Sequence, residues 1–283
     1  MVHMTPDNES EQAASAEPPP AQSAEQPTEQ DYVVGIHAVQ ALLEQAPKRV
    51  LRLWLQGERH SARLARIVEL AKAQGVRIER AERAWLAQRA GSDVPHQGVV
   101  ALQTQRVLPG EAELRAHIAE QLAANPAGLL VLVLDELQDA RNLGACLRSA
   151  EAAGVSAVVM PKRRAAPLNA LARRTAAGAS ESLFIAAVPN LVRVLKDLQS
   201  QGVWVYGLAQ EGAQAYTAID MKGPLALVMG AEERGLRSLV RATCDGLLQI
   251  PMLGAVSSLN VAVATGVVLY EVVRQRGTYQ RGT

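Results

Sequence analysis

The six residues Leu129-Leu-Val-Leu-Val-Leu134 are all apolar, and the run stops abruptly at Asp135. A strand with one wet face alternates apolar and polar residues, whereas an unbroken run is the pattern of a strand buried on both faces. That burial requires a parallel sheet covered by helices, and parallel strands need crossovers of about a dozen residues or more. The residues that follow meet this demand. Helical patterns over 143–153, 167–177, 191–201 and 261–275 alternate with strand patterns over 155–160, 183–187, 203–208, 225–229 and 246–250. The alternation predicts an α/β fold, a parallel sheet with helices on both faces, over residues 128–283. In such sheets ligands lie beyond the carboxyl ends of the strands.

Upstream, residues 31–105 predict a smaller α/β unit. Helical spacing at Ile36, Val39, Leu42 and Leu43 is followed by an alternating strand over 50–55 and a helix over 62–73. A short strand over 76–78, a helix over 82–89 and a strand over 98–103 complete it. Its basic side chains, among them Lys48, Arg49, Arg52, Arg63, Arg66, Lys72 and Arg77, outnumber its acids. They fit a solvated face or a footprint on a phosphate backbone. Residues 106–127, with Pro109-Gly110, Asn125-Pro126 and a helical stretch over 111–123, read as the connection between the units. Residues 1–30 carry six acids, no Lys or Arg, and Pro18-Pro19-Pro20, which predicts a disordered acidic tail. The rest of the chain holds 29 basic against 22 acidic groups, a balance compatible with a nucleic-acid partner.

Several classes fall away. No apolar run reaches the ~18 residues that cross a bilayer, and the first thirty residues lack the basic and apolar regions of a secretory signal. Cys146 and Cys244 make neither a disulfide framework nor a metal spacing, which fits a reducing cytoplasm and no metal. His37 and His96, beside Gly35 and Gly98, have no ligand companions and suit turns or caps. No G-x-G-x-x-G follows the first strand of the sheet, so a dinucleotide site is disfavoured.

Three polar clusters fall at predicted strand ends: Asp135 to Arg148, Val228 to Gly235, and Ile250 to Asn260. Each has an ordinary explanation. Asn142 or any of Ser257, Ser258 and Asn260 would cap a helix. Arg148 would be a surface residue, and Glu232 a first-turn acid favoured by the helix dipole. Alternatively, a strand leading through small residues into a helix start gathers free N–H groups that hold a ligand.

The stretches Asn142-Leu-Gly-Ala-Cys-Leu-Arg-Ser-Ala150, Val228-Met-Gly-Ala-Glu232 and Ser257-Ser-Leu-Asn-Val-Ala-Val-Ala-Thr-Gly266 decide between these readings. Together they resemble the SpoU (TrmH) branch of the SPOUT methyltransferases, and within it the RlmB-like ribosomal RNA 2′-O-methyltransferases. The resemblance spans about Tyr32 to Gln275. Gly35-Ile-His-Ala-Val39 and His96-Gln-Gly-Val-Val100 resemble the family's small RNA-binding module. The resemblance implies a C-terminal trefoil knot, S-adenosylmethionine held near Gly230, Ile250, Met252 and Leu259, and a cytoplasmic homodimer. It implies methyl transfer to the ribose 2′-hydroxyl of a guanosine in 23S rRNA. Arg148 is then the activator of that hydroxyl, as its base or, since a guanidinium stays protonated, through the adjacent phosphate. Asn142 orients Arg148 and the ribose, Glu232 orders the site, and Ser258 and Asn260 position cofactor and nucleotide.

Two residues depart from the family pattern. Ala140 stands where a proline usually precedes the motif, which predicts a looser loop, and Glu233 with Arg234 stand where a glycine often comes first. The same chemistry on tRNA, or an RNA-binding assembly protein without catalysis, are the alternatives. A serine hydrolase using Ser257 or Ser258 is disfavoured, since no G-x-S-x-G elbow and no His after His117 exist to serve it.

Overall fold

The computed structural model describes residues 31–57, 62–90, 95–104, 107–232 and 234–277; the acidic tail and Glu233 lie outside them. The first unit contains β1 (Asp31–Val34), α1 (Ile36–Gln45), β2 (Val50–Gln56), α2 (Ala62–Ala73), β3 (Ile78–Ala81), α3 (Arg83–Ala90) and β4 (Val99–Gln103). Its sheet runs β1-β4-β2-β3, with β4 antiparallel to both neighbours and β2 parallel to β3. Helices α1 and α2 cover one face through Val39, Leu42, Leu43 and Ile67. The other face holds Trp54 against Trp85 of α3, ring centroids 4.8 Å apart. Strand β1 was not foreseen, because its four residues are too few to show a period.

The second unit begins with α4 (Glu111–Ala124), β5 (Leu130–Leu134), α5 (Ala140–Ala152), β6 (Ala157–Pro161), α6 (Ala170–Thr175), α7 (Ala179–Ser182) and β7 (Ile185–Val188). It continues with α8 (Leu191–Ser200), β8 (Trp204–Leu208), β9 (Gln214–Ala215), β10 (Leu225–Met229), α9 (Ser238–Thr243), β11 (Gly246–Gln249) and α10 (Val261–Arg276). All seven strands pair in parallel in the order β7-β6-β5-β10-β8-β11-β9. The unbroken apolar run now has its cause. Leu130, Leu132 and Leu134 face the core beneath α5 and α10, while Leu129, Val131 and Val133 face the opposite core beneath α4 and α8. Helix α4, in the stretch read as a connection, buries Leu114 and Ile118 in that second core.

The helix expected over 167–177 is shortened to α6, and Ala177 and Gly178, both with positive φ, separate it from the single turn of α7. Gly178 is also where the two units meet. A Cβ there would lie 3.1 Å from Ala41 Cβ and 3.3 Å from the His37 carbonyl of α1. Beside this contact Arg49 binds Glu181 of α7 at 3.0 Å and the Gln103 carboxamide at 2.5 Å, and the Glu181 side chain is only 1 % exposed. His96 is buried and its Nδ1 accepts the Gly98 N–H, the turn role expected of it.

Candidate active site

Beyond the carboxyl ends of β8, β10 and β11 lies a cleft of about 490 Å³, within the range of small-molecule sites. Gly230, Ile250, Met252 and Leu259, the four residues expected to bind cofactor, all line it, as do Ser257, Ser258 and Glu232. Gly230 is required by space. A Cβ there would stand 2.2 Å from the Gly235 carbonyl carbon and 2.5 Å from the Leu236 nitrogen. The close approach lets the loop after β10 double back, with Ala231 and Gly235 exchanging N–H···O bonds of 3.1 and 2.8 Å.

That loop delivers Glu232 to a three-residue polar cluster. Asn142 Nδ2 donates to Glu232 Oε1, and Asn260 Nδ2 donates both to the same oxygen at 3.0 Å and to Asn142 Oδ1 at 3.1 Å. Three distant stretches thus converge on one point. Asn260 also caps α10, its Oδ1 accepting the Ala262 N–H at 2.9 Å, so one side chain both caps the helix and joins the cluster. For Asn142 the capping reading fails. The cap of α5 is Asp139, whose carboxylate takes the N–H groups of Arg141 and Asn142 at 2.7 and 2.9 Å. This frees the Asn142 side chain for the cluster and fixes the helix start at Ala140 without a proline ring.

The structure does not bring every expected residue together. Ser258 lines the cleft but makes no side-chain bond to a described residue. Arg148 is exposed six residues along α5 from Asn142, about 9 Å at 1.5 Å per residue. It lines a separate groove of about 470 Å³, whose other wall is α1 with His37, Gln40 and Glu44.

Two residues that pattern reading did not single out hold the site in shape. Asp135, fully buried at the end of β5, accepts from the Arg237 backbone N–H at 2.9 Å and from its Nε at 2.7 Å. The pair staples the loop carrying Gly230 and Glu232 to the sheet. The abrupt end of the apolar run at Asp135 was the available signal; its partner, far along the chain, had none. Beneath the cluster Cys146 bonds the Thr265 hydroxyl at 3.5 Å, and burial pushes its thiol up to about 11, so it stays protonated. Among the described residues no group of side chains could hold a metal ion, and no helix is long and apolar enough to cross a membrane.

Cleft and cluster at the carboxyl edge of a parallel sheet are the layout of an α/β protein that brings a small molecule up to a second ligand. Comparison with known proteins narrows this class. The chain belongs to the SpoU rRNA Methylase family, whose model matches residues 129–270, and residues 32–106 match the model for RNA 2′-O ribose methyltransferase substrate binding. The 23S rRNA (guanosine-2′-O-)-methyltransferase RlmB of Pseudomonas aeruginosa is 47 % identical over 247 residues, covering 87 % of this chain and 97 % of that protein. RlmB of Escherichia coli is 46 % identical over 246 residues, covering 87 % and 99 %. An AdoMet-bound rRNA methyltransferase from Sinorhizobium meliloti superposes with a TM-score of 0.70 at 25 % identity, covering 87 % of each chain.

Proposed function

We propose that this protein transfers the methyl group of S-adenosylmethionine to the ribose 2′-hydroxyl of a guanosine in 23S rRNA. The observation that carries the reading is the Asn142–Glu232–Asn260 cluster at the rim of the glycine-walled cleft. The cleft suits the cofactor. Gly230 lets the loop that walls the cleft fold closely on itself, and Ile250, Met252 and Leu259 offer apolar surface for a purine. When bound there, the cofactor supplies a methyl group on an already cationic sulfur.

The chain's own residues then have to hold an oxygen in line and remove its proton. Asn142 and Asn260 orient the ribose, and Glu232 fixes both amides by accepting from each. Ser258, free at the rim, takes a nucleotide or cofactor contact. Arg148 makes no bond to the cluster and lines the groove against α1 instead. Its role is therefore electrostatic: it holds a phosphate of the bound strand and favours the alkoxide.

A homodimer belongs to this reading. Leu253, Val256, Val263 and Tyr270, at 99, 64, 53 and 49 % exposure, form an apolar surface on the last loop and α10 that a second copy would cover. So do the cytoplasmic location, the division of labour between residues 31–105 and 128–283, and the trefoil knot. In support of the knot, the chain returns after β11 to lay α10 against α5 in the core beneath β5. The test is methyl transfer from radiolabelled S-adenosylmethionine to unmodified 23S rRNA and, in parallel, to bulk tRNA, with the modified ribose mapped. Label on one guanosine of the ribosomal RNA is expected. Label on tRNA alone would overturn the target, and no label with cofactor bound would favour a binding protein.

A further inference from the structure

The strand order leaves one flank of the polar cluster without an assigned ligand. The cofactor cleft lies over β8, β10 and β11, on one side of Asn142 and Glu232. On the other side, one strand spacing of about 4.8 Å from β5, strand β6 leads into a loop that opens with Lys162-Arg163-Arg164. All three cations are exposed. Lys162 and Arg163 pair with no described acid, and Arg164 reaches only toward Glu136 at 3.8 Å.

The loop that carries them is fixed. The Lys162 N–H donates to the Val188 carbonyl at 2.8 Å, and the Ala166 N–H to the Leu137 carbonyl at 2.6 Å. Arg164 and Glu136 both have left-handed backbones, φ 59° and 58°, which a non-glycine residue adopts at a cost. Arg237, which staples the Glu232 loop to Asp135, also approaches Glu136 at 3.4 Å. The cationic loop and the Asp135–Arg237 staple thereby share the Glu136 carboxylate. Three adjacent cations on a rigid edge at the mouth of a sheet match a polyanion.

We propose that Lys162, Arg163 and Arg164 form an RNA phosphate-binding ridge in the methyl-transferring unit itself, seating the strand that flanks the acceptor ribose. This rests on the function proposed above, and it enlarges the RNA footprint beyond the substrate-binding module. The ridge reads no base; it holds the flanking strand at the site through its phosphates.

The test compares the full-length protein with a Lys162→Gln/Arg163→Gln variant that leaves the Arg164–Glu136 contact in place. Equilibrium binding to an unmodified 23S rRNA fragment is measured between 50 and 200 mM KCl, with methyl transfer followed in parallel. Each phosphate contact contributes about 0.7–0.9 to the slope of log affinity against log salt, so two lost contacts lower it by about 1.5. The wild-type advantage should then shrink about eightfold over that range. RNA KM should rise while the cofactor KM and kcat at saturating RNA stay within about twofold of wild type. An unchanged salt slope in the variant overturns the ridge, whether or not methyl transfer is seen, and so does a fall in kcat at unchanged RNA affinity. Wild-type protein that binds the fragment without methylating any RNA overturns the functional reading alone, since the slopes still decide the ridge.

Discussion

Replacing Gly230 by alanine asks the most of the site for the smallest chemical change. The added Cβ would meet backbone only, with Gly235 C at 2.2 Å and Gly235 O and Leu236 N at 2.5 Å. Ordinary contact begins near 3.4 Å, so the returning strand of the loop must retreat by about 1.2 Å. That retreat breaks the paired bonds between Ala231 and Gly235 and carries Glu232 away from Asn142 and Asn260. Overpacking of this kind costs about 1–3 kcal/mol, a loss of about 2–12 °C in Tm at 2–4 °C per kcal/mol for a domain of this size. The catalytic cost is larger, because a misplacement of about 1 Å at a reacting geometry lowers rate about a hundredfold. Calorimetric titration with S-adenosylmethionine and single-turnover methyl transfer to 23S rRNA should therefore both fall far more than Tm. Cofactor affinity and turnover within about threefold of wild type would refute the claim that the glycine is demanded by space.

Arg148→Ala should reduce methyl transfer by at least about a hundredfold while cofactor binding, read by calorimetry, stays within about threefold, consistent with loss of a transition-state contact. Arg49→Ala removes the cation from the buried Glu181 carboxylate and should lower Tm by about 6–12 °C, for a loss of about 3 kcal/mol. Glu271 is held by Arg274 and Gln275 at about 2, below its ordinary 4.5. Its contribution to stability is therefore full above pH 4.5 and fades as pH falls toward 2. Glu271→Gln should flatten the dependence of Tm on pH over that interval, and an unaltered slope would remove the residue from the acid response.

What could be read from residues alone divides along physical lines. The β5 run, Gly230 and Asn260 were legible because each carries a local rule: burial on both faces, close backbone approach, and a capping side chain before an apolar helix. The start of α5 was placed three residues late, since Asn142 and Asp139 are both good caps and only the fold shows which one turns inward. The short α9 and the two-residue β9 left no periodicity to read. Long-range pairing was invisible altogether: Asp135 with Arg237 and Arg49 with Glu181 depend on where the chain goes between them, as does the separation of Arg148 from the cluster.

The last turn of α10 also constrains how this protein comes into being. Arg276 donates to the carbonyls of Met221, Gly128, Leu129 and Gly223 at 2.7–3.1 Å, gathering the approaches to β5 and β10 under one side chain. Val268, Leu269 and Val272 of the same helix fill the core against β5. A nascent chain still lacking α10 has the central strands of its sheet but only part of the apolar filling of one face, and no donor for four carbonyls. Native structure in this unit is therefore reached only once α10 has been made, although β5 is made well before it. Removing the last turn of α10 would take away the fastening for the first strand of the sheet.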